Sequence, residues 1–309
     1  MPPHVNLGKH AGVRAHQHSE FDLDRLLAAK GSHTVSVCLP ARDEESTVAA
    51  IVTIIRAELE SLIDEVIVID DHSTDHTAAV ARSAGARVVA VEQVLASGGP
   101  GEGKGEALWK SVHASSGDII VWCDADVTNF GGHFVLGLLG PLLLDPTTQF
   151  VKGFYQRPYN GMAVGGGRVT ELVSRPLLSL YFPELGHVVQ PLAGEYAGRR
   201  SVLESVPFVQ GYGVDVALLI DIARKHGVDS IAQVDLGTRI HRNRPLDELG
   251  PMAMAVTRTI LARAGVPVPE EDRPLIRVDG TEVYLSATER PSLITVAEYL
   301  DAHPYIDLA

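Results

Sequence analysis

The sequence predicts an α/β protein, a doubly wound and mostly parallel sheet with flanking helices, joined to a smaller and less regular second half. Two observations predict this fold class. Short, continuously apolar runs alternate with helical patterns, which is typical of strands buried on both faces of a parallel sheet. Polar residues follow several of these runs directly, and ligands of such sheets bind at the carboxyl ends of the strands.

The first half reads as a series of strand and helix pairs. Each predicted strand is five or six residues long and almost continuously apolar, which is typical of a buried strand. In chain order the predictions are a strand over 35–39, a helix over 44–62, a strand over 65–70, a helix over 74–84, a strand over 86–91, a glycine-rich loop over 97–105, a helix over 106–115 and a strand over 118–123.

The second half contains a glycine-rich loop, helical patterns, a strand and a short basic segment that Pro245 ends. In order we expect a loop over 160–168, a helix over 169–180, a helix over 214–226, a strand over 230–236, the basic segment 239–244, two further helices and a hairpin around 279–280. We divide the chain into an N-terminal extension over 1–30, a first half over 31–145 and a second half over 146–309. We see no flexible linker, so the halves are expected to share a core.

Composition narrows the class of protein. The chain has 309 residues, with 39 acidic side chains against 26 lysines and arginines, and a formal net charge of −13. That balance argues against a protein that coats nucleic acid or an anionic membrane. The longest apolar stretch, 134–144, is about half the length that spans a bilayer, and the first 18 residues lack a signal-peptide core. Cys38 and Cys123 sit in apolar runs and are expected to be buried reduced thiols. We therefore expect a cytoplasmic protein without a stable membrane anchor.

Two carboxylates, Asp124 and Asp126, follow the fourth predicted strand. At a strand end such a pair can share a hard divalent cation, Mg²⁺ or Mn²⁺, although a turn stabilised by aspartates has the same pattern. The glycines form neither a dinucleotide-binding turn nor a P-loop. Lys104 has the chemistry for phosphate but lies in a segment, 101–105, with the wrong spacing.

Four motifs in this order resemble the GT-A nucleotide-sugar glycosyltransferases, and further motifs resemble, within them, the glucosyl-3-phosphoglycerate synthase family. The first four are Pro40-Ala-Arg-Asp-Glu-Glu, Val68-Ile-Asp-Asp-His-Ser-Thr-Asp, Gly103-Lys-Gly-Glu-Ala-Leu and Cys123-Asp-Ala-Asp. The further ones are 103–109, Gly165-Gly-Gly-Arg-Val-Thr-Glu-Leu, Gly211-Tyr-Gly-Val-Asp and His241-Arg-Asn-Arg. The likeness covers residues 30 to 300.

The resemblance implies a Rossmann-like GT-A fold and a retaining, metal-dependent transfer of glucose from UDP-glucose to 3-phosphoglycerate by a homodimer. The first half would bind the nucleotide sugar. The second half would bind the acceptor and form the dimer, with a C-terminal tail.

The resemblance also assigns site residues. Donor binding falls on Pro40, Ala41, Arg42, Glu44, Asp71, Ser73, Lys104, Asp124, Ala125, Asp126 and Tyr212. Metal binding falls on Asp126 and His241, acceptor binding on Gly167, Arg168, Val169, Thr170 and Asn243, and catalysis on Asp215 and Arg244. His72 departs from the small residue of the family pattern, so the backbone of its loop is open to question.

Several of these residues have a second, structural interpretation. Glu44 and Asp215 each fall where a negative charge in the first turn of a helix is favourable. For Lys104 the structural alternative, which we favour less, is an exposed loop lysine, and for 239–244 it is a solvated basic stretch. Arg168 can grip a phosphate or a carboxylate bidentately, and glycines followed by a helix start form an anion site. Nucleic-acid binding is disfavoured because the basic run is short and lacks aromatic residues.

Three functions remain open from the sequence. The glucosyltransferase is favoured. A mannosyl-3-phosphoglycerate synthase or another GT-A transferase is the second hypothesis. The third is a regulatory protein that binds the nucleotide but has lost catalytic activity.

Overall fold

The computed structural model describes residues 12–101, 103–157, 167–240, 246–269, 273–285 and 288–303. One sheet of eight strands, in the order β1-β9-β6-β7-β5-β2-β3-β4, runs through the described part of the chain. The strands of this sheet are β1 Arg14–Gln17, β2 Val35–Ala41, β3 Glu65–Asp70, β4 Arg87–Ala90, β5 Ile119–Trp122, β6 Phe150–Gln156, β7 Tyr196–Arg199 and β9 Ile231–Thr238. Short strands also pair outside it: β8 Phe208–Val209 with β12 Glu289–Arg290, and β10 Leu275–Ile276 with β11 Glu282–Val283.

Strand direction decides which residues meet at one edge. Within the eight-stranded sheet, β7 is antiparallel to both β5 and β6, whereas the other pairings are parallel. The carboxyl ends of β2, β3, β5, β6 and β9 therefore lie at the same edge. The residues that precede β7 reach that edge as well, because β7 runs the opposite way.

The helices cover both faces of the sheet. They are α1 Leu23–Lys30, α2 Val48–Leu59, α3 Thr77–Ser83, α4 Lys104–Ala114, α5 His133–Leu144, α6 Arg175–Tyr181, α7 Arg200–Leu203, α8 Val214–His226, α9 Leu246–Arg263 and α10 Ala297–Ala302. A π-helical segment, Thr170–Ser174, leads directly into α6. The prediction over 214–226 matches α8 at both ends. This helix stops at His226 because Gly227 takes a φ of 84°, which favours glycine.

The alternation of side chains along the strands builds two cores. In β2, Val37 and Leu39 point into one core, and Cys38 between them points into the other. Ile67 and Val68 of β3 divide in the same way. Strands buried on both faces are what the apolar runs predicted, and the α/β fold class is confirmed. Cys38 and Cys123 are buried free thiols, as predicted.

The expected parts of the chain share one sheet. Strand β1 comes from the segment expected to be an N-terminal extension. It pairs in parallel with β9 and is the outermost strand on one side of the sheet. Strands β9, β6 and β7 of the second half lie side by side between β1 and β5, so β7 joins them directly to the strands of the first half. The hairpin predicted around 279–280 is present as β10 and β11. Within the described residues, no helix combines the length and apolarity needed to cross a membrane.

Candidate active site

A cavity of about 740 Å³ opens at the carboxyl edge of the sheet. Its lining comes from the ends of the parallel strands, from the starts of α4 and α8, from the glycine that precedes the helical segment at 168 and from one face of α9. The following predicted site residues line it: Pro40, Ala41, Arg42, Glu44, Asp71, Lys104, Asp124, Ala125, Asp126, Gly167, Arg168, Val169, Thr170, Tyr212 and Asp215. The structure thus brings residues of both halves to one cavity.

The remaining predicted residues lie elsewhere. Ser73 is outside the lining, where its hydroxyl accepts a hydrogen bond from the Asp43 amide at 3.0 Å and its own amide donates to Asp70 at 3.1 Å. It therefore braces the loops after β2 and β3 against each other. His241, Asn243 and Arg244 fall outside the described residues.

Lys104 is the first residue of α4, which corrects the expectation that it is a loop residue. Its Nζ donates to Asp124 Oδ1 at 2.9 Å and lies 3.2 Å from Asp215 Oδ1. Burial disfavours the charged lysine, but the two carboxylates outweigh it and raise the pKa of Lys104. The side chain is thus a fixed positive charge between the acid after β5 and the acid in the first turn of α8.

Asp215 is held from a second direction. The Tyr196 hydroxyl donates to Asp215 Oδ1 at 3.0 Å, and burial together with the charge of Asp215 raises the pKa of Tyr196. Lys152 Nζ lies 4.3 Å from the centre of the Tyr196 ring and donates to the Ala193 carbonyl at 2.8 Å. Because it is buried, Lys152 has a pKa lowered to about 8.

Arg239 is a site residue that the sequence analysis missed, since it treated 239–244 as a basic stretch for the acceptor or for solvent. Its side chain is buried, and Nη2 donates to Asp124 at 2.9 Å and to Asp126 at 2.7 Å. Burial would raise the pKa of Asp124, but Lys104 and Arg239 outweigh it and hold it below its ordinary value. Arg239 lies three residues beyond the predicted strand over 230–236 and directly after the observed strand β9, and that nearness to a strand end was the available signal.

The two residues that directly precede β7, Gly194 and Glu195, pack against Asp124 and Arg239. Glu195 is fully buried, and its Oε1 lies 3.1 Å from Arg239 Nε as an ion pair without aligned hydrogen-bond geometry. At Gly194, a Cβ atom would overlap the Asp124 carboxylate. Neither residue has a local sequence signal, because only the reversed direction of β7 brings them to this edge.

Two further acids of the cavity, Asp126 and Glu44, have pKa values raised by burial, in contrast to Asp124. Burial raises the pKa of Asp126, with Arg239 opposing and Asp124 adding to the rise. Burial, followed by the charge of Asp126, also raises the pKa of Glu44. A cation close to both residues would therefore stabilise the charged form of each carboxylate.

The backbone of the loop that carries Asp71 and His72 has the conformation expected from the family pattern, although His72 replaces a small residue. His72 has a φ of 60°, in the left-handed region that the glycine of the wider pattern would adopt freely. Its Nδ1 lies 3.0 Å from Asp71 Oδ1, while Asp71 Oδ2 accepts from the Gly103 amide at 3.0 Å. The backbone thus keeps the conformation expected for glycine, and Asp71 ties this loop to the start of α4.

The opposite wall of the cavity begins at Gly167. Its φ of 78° requires glycine, and the chain becomes helical from Arg168 onward. Backbone amides at a helix start and a guanidinium on the same wall suit an anion. Leu192 and a stripe on α9 add an apolar boundary.

The donor set fits a hard divalent cation. Asp124 and Asp126 offer carboxylate oxygens, the ligands that Mg²⁺ and Mn²⁺ accept, and the pKa of Asp126 is raised by burial next to Asp124. Among the described residues no three His, Cys, Asp or Glu side chains group as a complete metal site. Ile240, the last described residue before His241, is tied to the loop that follows Asp126: its carbonyl accepts from the Thr128 amide at 3.1 Å.

Comparison with known proteins gives the class. The family model described as "Glycosyl transferase family 2" matches residues 36–206, just over half of the chain. The fold and the acidic strand-end site agree with it, and the chain belongs to glycosyl transferase family 2.

Individual relatives narrow the class. "Glucosyl-3-phosphoglycerate synthase" from Mycobacterium tuberculosis is 52% identical over 254 residues, covering 80% of this chain and 78% of the relative. A protein of the same name from Petrotoga mobilis is 43% identical over 311 residues, covering 93% of this chain and 95% of the relative. Within family 2, the chain therefore belongs with the glucosyl-3-phosphoglycerate synthases.

Solved structures agree. A crystal structure of the M. tuberculosis synthase in complex with Mn²⁺, UDP-glucose and phosphoglyceric acid has a TM-score of 0.83 at 47% identity, covering 89% of this chain and 95% of that one. Another, with Mn²⁺, UDP and glucosyl-3-phosphoglycerate, has a TM-score of 0.82 at 47% identity, covering 89% and 96%. The resemblance in the sequence motifs is confirmed.

Proposed function

We propose that this chain transfers glucose from UDP-glucose to 3-phosphoglycerate, giving glucosyl-3-phosphoglycerate and UDP with retention of the anomeric configuration. The observation that carries the proposal is one cavity that combines the strand-end acids and Lys104 with the helix start at Arg168. The crystal structures of the M. tuberculosis synthase, one with UDP-glucose and phosphoglyceric acid and one with UDP and glucosyl-3-phosphoglycerate, support it.

The donor lies, in this proposal, along the ends of β2, β3 and β5. Carboxylates such as Glu44 and Asp71 accept hydrogen bonds from ribose hydroxyls or the uracil N–H. The ammonium of Lys104 binds the negatively charged diphosphate. To do so it gives up its contact with one of its two carboxylate partners, Asp124 or Asp215. Pro40, Ala41, Arg42, Asp124, Ala125 and Tyr212 complete the donor contacts, and Ser73 contributes by bracing the loops.

Mg²⁺ or Mn²⁺ is held by Asp126 and His241 in this proposal. The metal, when bound, supplies positive charge to the diphosphate leaving group. His241 lies outside the described residues, so its part in the proposal rests on the sequence motif His241-Arg-Asn-Arg alone. The metal would share Asp126 with the Arg239 guanidinium.

The acceptor is a small dianion, and its proposed site is the wall formed by Gly167, Arg168, Val169 and Thr170, together with Asn243. Backbone amides at a helix start and one guanidinium bind a phosphate or a carboxylate within a chain of net charge −13. The overall acidity disfavours phosphate polymers without excluding one phosphate in a pocket.

Asp215 orients the donor sugar in this proposal and is not a covalent nucleophile. Its Oδ1 already accepts from Tyr196 and faces Lys104, so the carboxylate is held in place by two partners. Arg244 is the second proposed catalytic residue, and its guanidinium would stabilise negative charge on the reacting groups.

The test uses binding and turnover separately. We expect UDP-glucose with Mn²⁺ to raise the melting temperature of the protein more than GDP-mannose or NAD does. UDP release should then require 3-phosphoglycerate. Preference for GDP-mannose would favour a mannosyltransferase, and donor binding without turnover would favour the regulator. A homodimer and a cytoplasmic location complete the proposal, and sedimentation and cell fractionation test them.

A further inference from the structure

A buried ion pair joins the C-terminal segment to α4. Glu106 has no exposed surface, and Arg290 is 9% exposed. Arg290 Nε donates to Glu106 Oε2 at 2.6 Å, and Nη2 donates to Oε1 at 2.9 Å. Such a two-bonded pair fixes both direction and distance, which a lysine ammonium does not reproduce.

The same guanidinium holds the loop that leads into α4. Nη1 donates to the Gly98 carbonyl at 2.5 Å and Nη2 to the Gly99 carbonyl at 3.1 Å. A Cβ at Gly101 would lie 2.5 Å from Arg290 Nη2 and 2.5 Å from Glu106 Cδ. The loop is therefore packed directly on the ion pair.

This loop and helix carry one wall of the cavity. Lys104 stands two residues before Glu106, at the first position of α4. The preceding amide, of Gly103, donates to Asp71 at 3.0 Å. A displacement of Glu106 would thus move the ammonium that bridges the acids of the site.

The C-terminal segment also holds a second wall. The Gln210 amide donates to the Thr288 carbonyl at 3.0 Å, and Gln210 Nε2 donates to Glu106 Oε2 at 3.1 Å. Strand β12 pairs with β8, which ends directly before Gln210. Gln210 and the following Tyr212 line the cavity. Glu106 is therefore a shared anchor for both walls.

We propose that Arg290 is a positioning residue for nucleotide-sugar binding: through Glu106 it fixes Lys104 relative to Tyr212. Neither Arg290 nor Glu106 lines the cavity, so the effect passes through their neighbours. The inference rests on the proposed function, and it names a determinant of donor affinity some 50 residues beyond the last predicted site residue.

A second buried pair provides the matched control. Arg263 donates through Nε and Nη2 to Asp221 at 3.0 and 2.8 Å, and through Nη1 to Glu289 at 2.8 Å. It joins α9 to α8 and to β12, whereas Arg290 reaches the loop before α4. Loss of the Arg263 fork lowers stability without releasing Lys104.

The experiment compares Arg290→Lys with Arg263→Lys. For Arg290→Lys we expect the Kd for UDP, measured by calorimetry with Mn²⁺, and the KM for UDP-glucose to rise by about tenfold or more, with the KM for 3-phosphoglycerate unchanged. Arg263→Lys should lower the melting temperature but keep the UDP Kd. An unchanged UDP Kd in Arg290→Lys, or an equal rise in both variants, would overturn the proposal.

Gly101→Ala serves if Arg290→Lys fails to fold. The added methyl separates the loop from the ion pair without removing a charge, and we expect the same selective loss of UDP affinity; an unchanged Kd contradicts the proposal. Calorimetry needs no turnover. A wild-type protein that binds UDP but does not glucosylate 3-phosphoglycerate would therefore refute the proposed function while still testing Arg290, and one that does not bind UDP would refute both.

Discussion

Arg239 Nη2 donates hydrogen bonds to both strand-end acids, at 2.9 Å to Asp124 and at 2.7 Å to Asp126. One buried guanidinium therefore holds together two carboxylates whose charges repel each other. The arrangement exists because β9 and β5 run in the same direction and end at the same edge of the sheet. In our account Arg239 presets the acids for the metal and the diphosphate.

Replacement of Arg239 by lysine should lower kcat/KM for UDP-glucose by about 100-fold. An ammonium keeps the charge but lacks the planar fork that reaches the acids and Glu195 together. Steady-state kinetics measures the effect. Arg200→Lys is the control, because Arg200 donates to the Gly117 carbonyl at 2.7 Å, far from the cavity lining. Equal activity in both variants would contradict the role of Arg239.

Removal of the metal should abolish activity, and added Mn²⁺ should restore it. Asp126→Asn loses a charged oxygen ligand, so it should need at least tenfold more Mn²⁺ for half-maximal activity, about 1.4 kcal/mol of binding free energy. Asp118→Asn, at the opposite end of β5, is the control. Full activity of Asp126→Asn in excess EDTA would refute the metal assignment.

Gly194→Ala should lower activity more than its effect on stability explains. Its Cβ would overlap the Asp124 carboxylate and displace it, and overpacking of this kind typically costs about 1–3 kcal/mol. Gly198→Ala, four residues further along and within β7, crowds Leu203 at 2.9 Å and does not contact the acids. We expect both variants to melt earlier, but only Gly194→Ala to lose donor affinity. Identical kinetics in the two would disprove the prediction.

Lys152 should make the free energy of unfolding depend on pH. Burial lowers its pKa from 10.5 to about 8 in the folded state. Below pH 8 the lysine is charged in both states and the penalty of burying the charge is complete. Above pH 10.5 it is neutral in both and the penalty is absent. The wild-type protein should thus gain up to about 3 kcal/mol relative to Lys152→Met as the pH rises through this window.

Urea unfolding of both proteins at pH 8 and pH 10 measures that difference. Taking the difference between wild type and variant removes the titration of other groups. A constant difference across the window would show that Lys152 keeps its ordinary pKa.

The local pattern of the sequence was enough for the parallel strands and for the acids that follow them. Asp124 and Asp126 directly follow a continuously apolar run, and the fold class fixes the edge at which such residues gather. The helix over 214–226 was equally readable, because a glycine ends it. These features depend on neighbours in the chain, which the sequence displays.

The electrostatic support of the site depends on pairing between distant strands. Glu195 reaches Arg239 only because β7 lies antiparallel between β5 and β6, and no short motif encodes that strand order. Lys104, Asp124 and Asp215 were each predicted as site residues, but the contacts that Lys104 makes with the two carboxylates were not. Arg290 was missed entirely, since its partner Glu106 is 184 positions away.

The product of one reaction tests the central claim most directly. The protein is incubated with UDP-glucose, 3-phosphoglycerate and Mn²⁺, and the product is followed by proton NMR. Our account predicts a glucosyl-3-phosphoglycerate signal whose anomeric proton keeps the α configuration of the donor, with UDP formed in equal amount. UDP formed equally fast without 3-phosphoglycerate, or no glucosyl product while UDP-glucose is bound, would contradict it.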